Sequence, residues 1–495
     1  MQSPIFGPAY SAKSTNLAAN RLINLYQQIV EAQKSASGKA IGALEGCPGL
    51  DLVQTFGTGP VRAMKAVNLS GVGDNLYLVS GQSLYQTNTS FTVAAPLGTL
   101  STTNDGPVTI VANDVGIAVA AGFNLYEWTP AGGFHQISTP FAPASSAYGL
   151  PITLAELDGF IVANQPGSNF WYQSNLEDAA TWDALNFAEA SGDPDNIRAL
   201  AQIHREFVLL KEYETEFWYN AGTAGFSFAR IDGAYLEVGI CAVGSRCRLG
   251  DSLVWLAQNQ EGEGFVVELD GHKINRISTQ ALEAEWGGYS AIADATAYTY
   301  RQQGHEFYVL NFPSGDTTWV YDRSASRMLG EPCWHQRARF EPLTGTLHRH
   351  IGNTAALFAH KIVVGDYQTG ALYAFNLSTL LDNGAQRKWV RSWRALAKPV
   401  YQPVTFSELC IYMQTGVGID PAADPLVALR YSDDGGHTWS NERKLKVGTL
   451  GQTAKRVRTT RLGQTRENSG LDRIFELSST DVFPVSITGA EVEAG

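Results

Sequence analysis

The chain has 495 residues, 44% hydrophobic, 11% aromatic and only 17% charged, with a net charge of −12. That length and apolar content support a large core, and the charged fraction lies below the ~25% of an ordinary globular protein. An acidic chain argues against gripping nucleic acid, which needs clustered Lys and Arg against the phosphates. The 49 glycines suit an all-β protein with many turns.

The opening MQSPIFGPAYSAK has no apolar region of the kind a secretory leader carries. No apolar run approaches the ~18 residues that span a bilayer, so no membrane insertion is expected. Over NLAANRLINLYQQIVEAQ, residues Ala18, Ala19, Leu22, Ile23, Tyr26, Ile29 and Val30 give a loose helical periodicity, with Thr15 or Asn16 as cap. NRLINLYQQ also reads as a strand, with Leu22, Asn24 and Tyr26 opposite Ile23 and Leu25. SASGKAIG follows as a small-residue loop and CPGL at 47–50 as a Pro-Gly turn. Residues 1–55 are set apart as a short N-terminal extension.

A turn, an aliphatic strand, a short polar gap and an aromatic-bearing strand then recur. The copies are LYLVSGQSLYQT at 76–87, IAVAAGFNLYEWT at 117–129, FIVANQPGSNFWYQS at 160–174 and FVLLKEYETEFWYNAGT at 207–223. They continue as LVWLAQNQEGEGFVVEL at 253–269, FYVLNFPSGDTTWVYD at 307–322 and IVVGDYQTGALYAF at 362–375. Spacings of about 40 to 55 residues are those of β-propeller blades. One such unit cannot bury both faces alone, whereas radial stacking closes the body. Residues 56–384 are expected to form a propeller of six or seven blades. The last two copies are spaced more widely and predict longer loops. An acidic insertion at 174–196 and a short helix around Leu282 to Trp286 interrupt the pattern. Glu177, Asp178, Asp193 and Asp195 sit on that insertion, as a solvated loop or a contact element.

From about 385 seven longer strands follow, from KWVRSWRAL to PVSITGAEVEA, and predict a C-terminal β-sandwich over 385–495. The fold class is therefore all-β, propeller first and sandwich last. Charge divides with it: residues 1–384 carry 21 Lys+Arg against 36 Asp+Glu, and 385–495 carry 15 against 12. Unlike charges suggest either contact between unlike surfaces of neighbouring subunits or a mere difference in composition between the two domains.

Few motifs carry chemistry. SDDGGHTW fits the Asp-box pattern S-x-D-x-G-x-T-W through Ser432, Asp434, Gly436, Thr438 and Trp439. This pattern resembles the hairpin turns of sialidases, where the Asp bonds to backbone and the Trp packs beneath. One copy outside the repeats is a structural turn. A sialidase needs three arginines on one carboxylate, yet the repeat-region arginines share no repeated position that would converge on one axis. No carboxylate pair stands out for glycoside hydrolysis. His348 and His350 offer half a metal site with no third ligand. Lys455 to Arg461 form a basic strand, read as a solvated face or a contact with DNA or an acidic neighbour. The five cysteines, Cys47, Cys241, Cys247, Cys333 and Cys410, make no zinc-type pair, so reduced buried thiols and assembly in a reducing cytoplasm are expected. No Walker A, GxGxxG, GxSxG, HExxH or EF-hand pattern is present, and no cofactor or metal is expected.

ANRLINLYQQ, EGCPGL and GTGPVRAM resemble the opening of tail proteins of short-tailed bacteriophages. The stretch from 174 to 222 is similar to the packaged-DNA stabilisation, or tail hub and nozzle, family. The matching positions are Leu176, Glu177, Asp178, Trp182, Phe187, Ala188, Glu189, Pro194, Asp195, Ile197, Glu216 and Tyr219. HEFYVLNFPSGDTTWVYD followed by Trp334 fits the same family. The resemblance implies a virion tail component rather than an enzyme, assembled in the host cytoplasm. It implies a homo-oligomeric ring, a hexamer, below the portal and adaptor. Such a ring extends the DNA channel, helps retain packaged DNA, carries fibres, spikes or a needle, and meets double-stranded DNA only in passage. The alternative is a sialidase-like or polysaccharide-binding propeller.

Overall fold

The computed structural model describes residues 1–7, 9, 20–29, 42–101, 106–138, 152–192, 195–396, 403–418, 422–465 and 473–495. Seven antiparallel sheets form the blades of a propeller. In chain order their innermost strands are Val61–Leu69, Val108–Ala112, Leu154–Leu157, Ile197–Ile203, the pair Gly239–Ile240 and Cys247–Leu249, Thr296–Gln302, and Gly352–Phe358. The last of these contacts the first, so the ring closes. The seven sequence copies mark the second and third strands of the seven blades.

Period-2 patterning decides which neighbour each side chain meets. In Ile117–Ala121, Ile117, Val119 and Ala121 pack toward blade 1, while Ala118 and Ala120 pack toward blade 3. The same logic gives one apolar cluster between each pair of adjacent blades. A strand buried on both faces reads as a continuous apolar run. The wide spacing of the last copies has a visible cause. Helix Gln280–Trp286 precedes blade 6, helix Arg323–Leu329 lies within it, and a hairpin of Ala338–Glu341 and Thr346–Arg349 follows it.

Residues 1–55 do not stand off from the body. Gly49–Thr55 is the outer strand of blade 7, paired antiparallel with Ala371–Asn376. Asp51 fastens it, accepting from Asn376 Nδ2 at 2.7 Å and Thr379 Oγ1 at 2.8 Å. Gly370 is required there, because a Cβ would sit 1.9 Å from the Phe56 carbonyl oxygen. Arg21–Ile23 pairs parallel with the outer strand of blade 6, Trp334–Gln336, and antiparallel with Trp389–Arg394. The blade sheet thereby runs on through Ile474–Ser479 and Leu426–Ser432 to Arg443–Lys446, as nine strands in one sheet. The facing sandwich sheet runs Leu25–Ile29, Gly42–Gly46, Ser486–Ala494, Thr405–Met413 and Val457–Gln464, with Gln2–Ser3 added beside Ser486–Ala494. All seven C-terminal strands expected from the sequence lie in these two sheets.

Where 16–33 is described it is strand, not helix, and the strand alternation is corrected at one residue. Asn24 has φ 56°, a left-handed conformation that Asn tolerates better than most residues. The kink sends both Leu22 and Leu25 into the sandwich core, Ile23 beside Ala338 and Val390, and Tyr26 into the cluster between blades 6 and 7. The cap residues Thr15 and Asn16, and all of the SASGKAIG loop but its final Gly42, lie outside the described residues. No described helix is long and apolar enough to cross a membrane.

Candidate functional site

The splice between blade 6 and the sandwich is built around Asn24. Its side-chain nitrogen donates to the Ala338 and Lys388 carbonyls, each at 2.8 Å, and its Oδ1 accepts from Ala338 N at 3.0 Å. Its own N–H donates to Gln336 O and its carbonyl accepts from Cys47 N. One buried residue thus satisfies propeller, linker and N-terminal segment together. Arg337, also buried, donates to Pro48 O at 2.8 Å and lies over the Phe375 ring at 4.5 Å. Arg391, in the sandwich, donates to Ile5 O at 2.6 Å. His305, buried in blade 6, lies between Asp322 at 2.6 Å and Gln28 at 2.9 Å. These contacts join the two domains alongside the continuous nine-stranded sheet.

The propeller axis holds a cavity of about 600 Å³, lined from blades 1, 2, 3, 5, 6 and 7. Arg62, Arg246 and Arg349 all reach it, although the sequence shows no repeated arginine position. They come from non-equivalent blade positions, so no repeat signals them. Two are committed to main-chain oxygens. Arg62 donates to Gly106 O at 2.9 Å and Gly81 O at 3.0 Å. Arg246 donates to Leu200 O at 2.8 Å and Val243 O at 2.5 Å, and reaches Thr109 Oγ1 in blade 2 at 3.3 Å. Burial pulls the Arg246 guanidinium down to about 10. Arg349 stacks on Tyr367 at 3.5 Å. Arg62 therefore ties blade 1 to its neighbour blade 2, and Arg246 ties blade 5 to blade 4 and, across the axis, to blade 2.

The Asp-box closes the hairpin between Leu426–Ser432 and Arg443–Lys446. Ser432 Oγ donates to Asp434 Oδ1 at 2.7 Å and accepts from Gly436 N at 2.8 Å. Thr438 donates to Asp434 through both its hydroxyl and its N–H. Those bonds, the hydroxyl's first, hold the Asp434 carboxyl well below the usual carboxylate range. Trp439 lies under the Arg430 guanidinium at 4.5 Å. The unassigned position of the box, Asp433, makes the stronger contact. It takes a bidentate ion pair from buried Arg473 at 2.7 and 2.8 Å, and that guanidinium stacks on Tyr431 and Phe406.

The acids of the insertion serve turns. Asp178 accepts from Ala180 N and Thr181 N, Glu177 from Asp114 N in blade 2, and Asp195 from Tyr213 N. Glu216, buried, accepts from Gly192 N and Trp218 Nε1. Ile197 is buried, whereas Leu176, Phe187 and Tyr219 are exposed. Asp193 and Pro194 lie outside the described residues. His348 and His350 do not share a site. His348 is half-buried beside Asp316 at 2.7 Å, and His350 is buried after the strand ends, accepting from Gly352 N. No cluster of three metal-ligating side chains occurs among the described residues. Burial pushes the thiols up, Cys241 to about 11 and Cys247 and Cys333 to about 12, which keeps them protonated.

A propeller spliced by one continuous sheet into a sandwich, with axial arginines spent on carbonyls, defines a β-propeller–β-sandwich scaffold protein. Residues 1–380 match the family described as Bacteriophage P22 Gp10, beta-propeller, and residues 388–495 that described as Bacteriophage P22 Gp10, beta-sandwich. The chain belongs to this family, a structural component of the bacteriophage tail and so of the virion. No curated protein matches it. Among solved structures, two extracellular domains from B. thetaiotaomicron are similar, one assigned to a hybrid two component system and one to a one component system. Each is 10% identical, with TM-scores of 0.43 and 0.42. The alignments cover 81% and 80% of this chain, and the chain spans 47% of each of theirs.

Proposed function

We propose that the chain is the subunit of a homo-oligomeric ring, a hexamer, that forms the tail hub or nozzle below the portal and adaptor. The ring extends the DNA channel, helps retain packaged DNA, and supports fibres, spikes or a needle during ejection. It assembles in the host cytoplasm, in keeping with its neutral thiols. The observation that carries this reading is the match of both domains, over 1–380 and 388–495, to one phage tail family. The splice at Asn24 supports it, because a ring that bears ejection forces needs domains that do not hinge. A net charge of −12 favours passage of DNA over retention by counterion-releasing contacts.

The test is the mass of the full chain by light scattering, alone and with a purified portal–adaptor complex. A discrete ring in either condition supports the reading and gives its stoichiometry. A chain that stays monomeric in both overturns it.

A further inference from the structure

Charge is segregated far more sharply than the domain totals suggest. Residues 154–276, which make blades 3 to 5, hold 8 Lys+Arg against 19 Asp+Glu. Residues 443–465 hold seven Lys and Arg and no Asp or Glu. The fold gathers that basic stretch onto one side of the sandwich. Arg443–Lys446 is the terminal strand of the nine-stranded sheet, and Val457–Gln464 is the terminal strand of the facing sheet. Arg443 bridges them, donating to Thr460 O at 2.7 Å and Arg461 O at 2.9 Å. Both sheets therefore end at one open edge.

Six cations on this edge are exposed: Lys444, Lys446, Lys455, Arg456, Arg458 and Arg461. Lys446 meets Asp424 and Arg458 meets Glu408, each at 3.3 Å. Among the described residues the other four enter no ion pair. Charged side chains do guard open strand edges against aggregation. That role does not need an uninterrupted run of one sign; across blades 3 to 5, nine exposed acids outnumber five exposed cations.

Blades 3 and 4, though not blade 5, are also placed apart from the basic edge. The sandwich joins the propeller on the side of blades 6 and 7, through Arg21–Ile23 and Gly49–Thr55. In a seven-membered ring, blades 3 and 4 lie across the axis from that side. A molecule basic at one end and acidic at the other is suited to a heterologous, head-to-tail contact, the kind that closes into rings.

We infer that the basic edge at 443–465 receives the acidic surface of blades 3 to 5 of a second copy of this chain. The inference rests on the ring reading and names the seam between its subunits. Such a contact is steered by charge and weakens with salt.

The experiment mixes unlabelled and 15N-labelled full chain, assembles it alone or on the portal–adaptor complex, and applies a zero-length carbodiimide cross-linker. This reagent joins a Lys amine to a carboxylate in direct contact. The expected products link Lys444, Lys446 or Lys455 to acids within 154–276 of a differently labelled chain. The companion variant carries Lys444→Glu, Lys455→Glu and Arg456→Glu, all exposed. It should keep the wild-type circular dichroism and assemble at least tenfold more weakly at low salt. A ring that forms without those label-crossing products, or a folded variant that assembles like wild type, overturns the seam and leaves the ring standing. So does capture of a double-stranded DNA fragment that the variant loses, which would make the edge a phosphate-binding surface. A chain that stays monomeric with and without the portal–adaptor complex overturns the ring itself.

Discussion

The propeller and the sandwich bury their apolar side chains in different ways. The propeller divides its core among seven clusters, each shared by two adjacent blades. The sandwich gathers one cluster that draws on strands from both ends of the chain, from Ile5 and Leu22 to Val492. A modular core fails locally, by nearest-neighbour loss, whereas a single core fails as a unit. The splice at Asn24 is where one behaviour is coupled to the other.

The largest effect is expected in the sandwich. Asp433→Ala leaves the Arg473 guanidinium buried and unpaired, and should cost about 4 kcal/mol by denaturant unfolding. Hydrogen exchange should quicken across both sandwich sheets and stay slow in blades 1 to 4. Trp171→Ala is the propeller counterpart. Its ring packs edge-on against Phe207, Trp218 and Phe226, and removing it should cost about 3 to 4 kcal/mol. Exchange should rise in blades 3 and 4 alone; rise across all seven blades would contradict a modular core. Asn24→Ala strips three side-chain hydrogen bonds from the splice and should cost about 2 to 3 kcal/mol. Calorimetry should then separate one transition into two.

A smaller effect is expected from acid. Burial first, then the charges of Arg337 and His305, lower His335 to about 3 from its ordinary 6.5. Between those values the unfolded chain binds the extra proton, so this stability is complete above pH 7 and falls as pH drops. The loss should be about 2 kcal/mol at pH 5. His350, held well below its usual value by burial and by Arg337 and Arg387, acts with the same sign. Denaturant midpoints at pH 7.5 and 5 measure the sum, and His335→Gln should flatten the difference.

What was legible in the sequence was local. The seven blade copies and seven sandwich strands show because alternation and turn residues repeat within a dozen positions. The Asp-box turn shows for the same reason, since Ser432, Asp434 and Thr438 bond to one another. What escaped was non-local or irregular. Gly49–Thr55 gains its meaning from a partner at 371–376, and nothing near it announces that pairing. Arg21–Ile29 was ambiguous between helix and strand because the left-handed Asn24 breaks the period. The axial arginines come from unrelated places in their blades. Asp433 occupies a position that the box pattern leaves open, yet its carboxylate carries the buried ion pair.

The strand that closes blade 7 also sets a timetable. Residues 49–55 leave the ribosome about 320 residues before 371–376, their partners. At roughly 5 to 20 residues per second that is a wait of about 15 to 60 seconds. Blades 1 to 5 can stack in sequence during synthesis, but the first has no neighbour on its open side until the seventh arrives. The sandwich waits longer still, because its sheet needs Arg21–Ile23 to meet a strand beginning at Trp389. Gly49–Thr55 must therefore stay unpaired, and shielded from other chains, until blade 7 has been made.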